Sequence, residues 1–217
     1  MIVGVNVDPA WEGGRPDAER LARLGATWVR LVSRDLVELH TYRDACHEAG
    51  LRVLAVIARE SGGYLLPDCD MYQIGNEPDC TGPSSWTRTP SEYAEDWRIY
   101  RETYPSLPMI AAGFASGHVG YFEEVAPHLF NAAGYGVHPY NKTPTEAYSL
   151  LQCYRAIRPD LALWVTEWFR EPDQLVPFAR MLRVGTDAGF WFCSLDSMVP
   201  GMGLLDTPRE QLWRACA

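Results

Sequence analysis

Short apolar runs alternate with longer polar or amphipathic ones eight times along this chain, and that alternation limits the fold more than any other feature. The runs that read as strands are Ile2 to Val7, Thr27 to Val32, Arg52 to Ala58, Met71 to Glu77, Met109 to Phe114, Gly134 to His138, Leu161 to Trp168 and Phe190 to Leu195. Helices are expected at about Asp17–Leu24, Leu36–Glu48, Ser91–Tyr104, Val119–Phe130, Pro144–Ile157, Pro172–Ala188 and Pro208–Cys216. Arg59 to Asp70 is short and contains glycine and proline, so no full helix is expected there. Strand and helix in steady alternation imply parallel strands joined by right-handed crossovers. Eight such units imply closure into a compact α/β structure, a (β/α)8 TIM barrel. The 217 residues then form a single domain, 1–217, near the lower size limit of that fold. Loops must be short, and there is room for one helix to be missing or shortened. An open doubly wound sheet is the competing arrangement, but the first strand–helix turn lacks a GxGxxG fingerprint.

Barrels of this kind build their sites from the C-terminal ends of the strands. Here those ends carry Asp8, Arg30, Glu60, Asn76-Glu77, His138-Pro139-Tyr140, Glu167-Trp168, Trp191 and Asp196. Glu77 and Glu167 constrain the chemistry most. Each stands at the exit of a buried run, where a carboxylate is costly to place and rarely serves packing. Two carboxyl groups facing each other about 5–5.5 Å apart are the machinery of retaining glycoside hydrolysis.

Gly75-Asn76-Glu77-Pro78 after strand four and Thr166-Glu167-Trp168 after strand seven, with Val137-His138-Pro139-Tyr140 after strand six, resemble the retaining glycoside hydrolases of clan A. The resemblance implies that Glu77 is the general acid/base and Glu167 the nucleophile. It also implies substrate-binding or orienting roles for Asn76 at the sugar 2-hydroxyl, Arg30 beside Glu167, His138 and Tyr140. Trp191 and Trp168 are the expected sugar platforms, since pyranose faces pack on aromatic rings. The acid must stay protonated to act, so burial and the facing Glu167 are expected to raise the pKa of Glu77. Trp11 and Trp86 fall in loops near the same rim, and Asn6 reads as a buried strand residue of the core or behind the site.

The remaining composition narrows the alternatives. A net charge of −9 disfavours nucleic acid as a partner. No run of eighteen apolar residues suggests a membrane span. Met1 leads directly into the first strand with no signal peptide, so a cytoplasmic protein, one released by lysis, or an excised domain is expected. Six cysteines show no metal or disulfide spacing, and His118, His128 and His138 form no HxH or HExxH motif, so no metal and no cofactor are expected. Lys142 is the only lysine and lies past strand six, which disfavours Schiff-base chemistry. The expected partner is a carbohydrate substrate, cleaved at a β-glycosidic bond. The alternatives are a carbohydrate-binding barrel without catalysis and a metal-dependent barrel hydrolase. The sugar, its linkage, endo or exo action and the oligomeric state are left open.

Overall fold

The computed structural model describes residues 1–8, 16–32, 36–57, 65–82, 85–115, 117, 119–191 and 203–214. Eight parallel strands close into a barrel in sequence order: β1 (Ile2–Val7), β2 (Trp28–Leu31), β3 (Arg52–Ile57), β4 (Met71–Asn76), β5 (Met109–Ala115), β6 (Gly134–His138), β7 (Ala162–Trp168) and β8 (Ala188–Trp191). Around them lie α1 (Ala18–Arg23), α2 (Leu36–Glu48), α3 (Pro90–Thr103), α4 (Val119–Val125), α5 (Pro144–Ile157), α6 (Pro172–Gly185) and α7 (Pro208–Arg214). Among the described residues no helix lies between β3 and β4, where a missing helix was expected. The helix expected to reach Phe130 stops at Val125 and tightens into a 3-10 turn over Ala126–His128. Pro127 lacks the N–H that an α-helix would need there. Strand β8 begins two residues before the expected run.

The helices start where their caps dictate. Thr89 and Glu92 form a reciprocal capping box at α3, and Thr143 and Glu146 do the same at α5, each with proline in the first turn. These caps fix where each crossover helix leaves the rim.

Inside the barrel, strand alternation sorts the side chains into layers. Trp28, Leu54, Ile110, Trp164, Ala188 and Phe190 form a buried apolar plug near the N-terminal end. Trp164 stacks on Phe190 at 5.8 Å and meets Trp28 edge-on at 5.7 Å. Two residues further along the same strand faces the side chains become polar: Arg30 above Trp28, Thr166 above Trp164, and Gln73 above Met71. A dry floor thus carries a polar layer at the mouth.

The aromatic pair at the end of β7 and β8 falls on the other face. The β7–β8 register shifts between Val165 and Trp168, and Trp168 pairs with Trp191. Both rings point away from the barrel axis into the layer beneath α6 and α7. Trp168 stacks on Phe178 of α6 at 5.2 Å and on Trp213 of α7 at 6.2 Å, and Trp191 meets Trp168 edge-on at 4.8 Å. Trp191 is 0% exposed. The expectation that these two tryptophans are sugar platforms is therefore corrected: both rings are buried, Trp168 against Phe178 and Trp213 and Trp191 against Trp168, Phe169 and Trp213. Trp86 is buried as well, with its ring against Gly75 and edge-on to Tyr100.

Candidate active site

Arg30 organises the polar layer. Its guanidinium is 0% exposed and donates to four neighbours. Nε reaches Gln73 Oε1 at 2.9 Å, Nη1 reaches Asn6 Oδ1 at 2.5 Å and Glu167 Oε1 at 2.8 Å, and Nη2 reaches Asn76 Oδ1 at 2.7 Å. The register that pairs Asn6 with Arg30 across β1 and β2 brings the Asn6 contact together. The acceptors are themselves oriented. Gln73 donates to the Gly75 carbonyl at 2.8 Å, and Asn6 donates to the carbonyls of Thr166 at 2.9 Å and Trp191 at 2.7 Å. A buried guanidinium needs such a set, because an unpaired charge in this position is strongly destabilising.

Glu167 therefore accepts a charge-assisted hydrogen bond on one oxygen. Its other oxygen accepts from the Tyr140 hydroxyl at 2.9 Å. Burial and the Glu167 charge hold the Tyr140 phenol well above its usual range, so it stays a hydrogen-bond donor. The connection bearing Tyr140 is braced by the buried Arg170, which donates to the carbonyls of Pro139 at 2.9 Å and Lys142 at 2.5 Å. Its guanidinium lies 3.8 Å from the Phe178 ring centre.

Glu77 follows the last residue of β4 and has φ +45°, a left-handed conformation uncommon for a residue with a side chain. Its N–H donates to the Gly113 carbonyl at 2.9 Å. Its Oε1 lies 2.8 Å from His138 Nδ1, and its Oε2 accepts from the Ser85 hydroxyl at 3.3 Å. His138 is 0% exposed, and its Nε2 lies 3.0 Å from Thr166 Oγ1 and 3.7 Å from Glu167 Oε1. The imidazole fits only because β5 has glycine opposite it: a Cβ on Gly113 would lie 2.0 Å from His138 Nε2. A bulge in β5 between Ala111 and Gly113 sets that alignment. The N–H of Ala112 in the bulge donates to Tyr93 Oη at 2.7 Å, and that hydroxyl donates to the Ile74 carbonyl at 2.7 Å.

One carboxylate oxygen of Glu77, one of Glu167 and a ring nitrogen of His138 all lie within 4.8 Å of one another. Among the described residues this is the one group of three or more such side chains able to hold a metal ion. Arg30 and the donors on Glu77 already fill the role a cation would play: Arg30 countercharges Glu167, and both ring nitrogens of His138 are engaged.

The pKa of Glu77 departs from the sequence expectation. Burial pushes the carboxyl up, but the hydrogen bond and charge of His138, the Ser85 hydroxyl and the charge of Arg30 together outweigh it. The group sits below the ordinary glutamate range.

The structure thus brings together Glu77, Glu167, Asn76, Arg30, His138 and Tyr140, and leaves Trp168 and Trp191 in the packing layer. Gln73, Ser85, Thr166 and Arg170 were missed. Thr166 carried a signal, since it stands two residues beyond the plug residue Trp164 on the inward face. Ser85 carried none, because its position depends on how the β4–α3 connection folds back. Asp79 of that connection accepts from the Ala115 N–H at 3.0 Å and so holds the loop to β5. Trp11, Ser33, Arg34, Arg59, Glu60, His118 and Asp196 lie outside the described residues.

No family model matches the chain, and no curated protein sequence matches it. Solved structures match its fold along nearly the whole length. ZgEngAGH5_4, solved in complex with a cellotriose, gives a TM-score of 0.72 at 15% identity, over 100% of this chain and 95% of that one. A thermostable mutant of the xylanase Xyn10A from Cellvibrio japonicus gives 0.68 at 11% identity, over 96% and 90%. A GH128 (subgroup VI) exo-β-1,3-glucanase from Aureobasidium namibiae gives 0.66 at 14% identity, over 98% and 91%. The chain shares their barrel. At these identities the likeness is one of fold, and it agrees with the clan A resemblance of the strand-end motifs.

Proposed function

We propose that the chain is a glycoside hydrolase that cleaves β-glycosidic bonds with retention, with Glu77 as acid/base and Glu167 as nucleophile. The observation that carries this reading is the carboxylate pair at the barrel mouth, with an oxygen of each within 4.8 Å. Retaining enzymes hold the two groups about 5–5.5 Å apart, whereas inverting ones need about 6.5–9.5 Å to admit a water. The two environments also differ as the two roles require. Glu167 faces a cation and a phenol donor, which suits a carboxylate that attacks carbon. Glu77 has neutral or titratable partners, a hydroxyl and an imidazole, which suits a group that must give and retake a proton.

In the first step Glu167 attacks the anomeric carbon, the bond to the leaving sugar breaks, and Glu77 passes its proton to the departing oxygen. In the second, water attacks the same carbon, Glu77 takes up the water proton, and the ester to Glu167 breaks. Charge developing on the sugar ring meets the Tyr140–Glu167–Arg30 set without rearrangement, the kind of preorganisation that lowers a barrier. The Asn76 amide stands beside Glu77, where it can donate to the sugar 2-hydroxyl. Named activities of proteins with this fold, an exo-β-1,3-glucanase and a xylanase, support β-linked glucan or xylan as the substrate class.

The test is turnover of β-linked gluco- and xylo-oligosaccharides, with the anomer of the first product read by proton NMR, and labelling with a 2-deoxy-2-fluoro glycoside. The expected result is a β product and a covalent sugar on the peptide carrying Glu167. An α product, or a label elsewhere, would refute the assignment. Binding without turnover by the wild type and by Glu77→Gln and Glu167→Gln alike would favour a carbohydrate-binding barrel.

A further inference from the structure

The β4–α3 connection does more than link two elements. Ser85 lies eight residues past Glu77, yet its hydroxyl returns to Glu77 Oε2 at 3.3 Å. Several contacts make that return. The Ser85 N–H donates to the Gly82 carbonyl at 3.1 Å, the Trp86 N–H to the Asn76 carbonyl at 2.8 Å, and the Arg88 N–H to the Pro78 carbonyl at 2.9 Å. The Thr87 hydroxyl donates to the Cys80 carbonyl at 2.6 Å. Gly82 is part of the arrangement, since a Cβ there would lie 2.9 Å from Ser85 Oγ. Ser85 is 6% exposed, and Glu77 is the side-chain partner of its hydroxyl. A buried hydroxyl is rarely left without such a partner.

We propose that Ser85 is a positioning residue for the acid/base: its hydroxyl holds Oε2 of Glu77 and favours the ionised form that the second half of the reaction requires. The proposal rests on the reading of Glu77 as acid/base. Among the described residues, the groups facing Glu77 are His138 from β6, Arg30 from β2, Glu167 from β7, Tyr140 beyond β6, and Ser85 and Cys80 from its own connection. His138 holds the other oxygen, and its ring must exchange donor and acceptor roles when Glu77 changes protonation state. A hydroxyl rotates to donate or accept, so Ser85 can follow the cycle without moving its neighbours. At 3.3 Å the contact is long for an O–H donor, which suits a group whose proton must leave and return.

The experiment compares Ser85→Ala and Ser85→Thr with the wild type on two β-cellobiosides. One has a 2,4-dinitrophenol leaving group, which departs without a proton and so exposes the second step. The other has an unactivated phenol, which needs the acid. Losing a donor to the carboxylate raises the Glu77 pKa. For Ser85→Ala the alkaline limb of kcat/KM on the phenyl substrate moves up by about one pH unit. On the dinitrophenyl substrate kcat falls about tenfold and KM falls with it, as the glycosyl-enzyme accumulates. Ser85→Thr, which keeps the hydroxyl, restores both. A limb that stays in place, with equal losses on the two substrates, would overturn the proposal and leave Ser85 a packing contact. Glu77→Ala separates the two layers of inference. If it spares the dinitrophenyl substrate relative to the phenyl one while Ser85→Ala shifts nothing, only the role of Ser85 fails. If wild type and Glu77→Ala turn over both substrates equally, the acid/base reading fails and this proposal with it.

Discussion

Replacing Arg30 with methionine tests the electrostatics of the site without any substrate. The side chains of Arg30 and Glu167 are 1% and 10% exposed and 2.8 Å apart, so solvent screens the pair weakly. Removing one partner of such a pair leaves a buried charge uncompensated and costs about 3–5 kcal/mol. The oxygens of Asn6, Gln73 and Asn76 lose a donor as well, so Arg30→Met belongs at or above the upper end of that range. A domain of ordinary stability holds about 5–15 kcal/mol, and the variant is expected to be folded but markedly weakened. Glu167→Gln strands the Arg30 charge in turn, but its amide oxygen still accepts from the guanidinium, so its loss should be the smaller of the two. The informative variant is the double one. With both charges gone the stranded carboxylate no longer exists, and Arg30→Met/Glu167→Gln should be more stable than Arg30→Met by about 2 kcal/mol. Urea unfolding followed by tryptophan fluorescence measures all four corners of the cycle. Additive losses, or an Arg30→Met variant within 1 kcal/mol of wild type, would refute a tightly coupled buried pair.

Three further outcomes follow from the site. Because Glu77 is held below the ordinary glutamate range, its protonated form is lost as pH rises through a low value, so kcat/KM should decline early on the alkaline side; His138→Gln removes the imidazole, the largest influence opposing burial, and that limb should move to higher pH, which a pH–rate profile reads. Tyr140→Phe removes one of the two donors to Glu167 and is expected to lower kcat by about ten- to a hundredfold, with no added pH dependence because the phenol does not ionise in the working range; a loss confined to KM would contradict the contact. Trp191→Ala opens a cavity in the layer beneath α6 and α7 and should cost about 3–5 kcal/mol in urea unfolding while leaving KM at low temperature nearly unchanged; a large KM increase with intact stability would return the ring to the cleft.

The barrel was legible because its signals are local. Each strand announces itself over a few apolar residues, each helix by the longer polar or amphipathic run between them, and the count of eight implies closure. The Glu77, Glu167, Asn76, Arg30, His138 and Tyr140 cluster was legible for a related reason: polar side chains at the exits of apolar strands have nowhere to go except the mouth. The orientation of Trp168 and Trp191 was not. Strands of a barrel are covered on both faces, so apolar residues appear at every position and the inward set is not marked. Whether Trp168 turns in or out depends on the register shift after Val165, which involves the neighbouring strand. The pKa of Glu77 was misjudged because the sequence reveals burial but not the 2.8 Å contact with His138 that opposes it. Ser85 was invisible for the same reason, being placed by a loop.

Asn6 has a consequence for when the protein becomes competent. This one amide, on the first strand, is stitched by its nitrogen to carbonyls of the seventh and eighth strands and by its oxygen to the guanidinium on the second. The seam of the ring and the hardware of the mouth are therefore the same hydrogen bonds. A half-wound chain can hold much of its native helix and still lack a working centre, and during refolding turnover would appear only after the last staves have met the first.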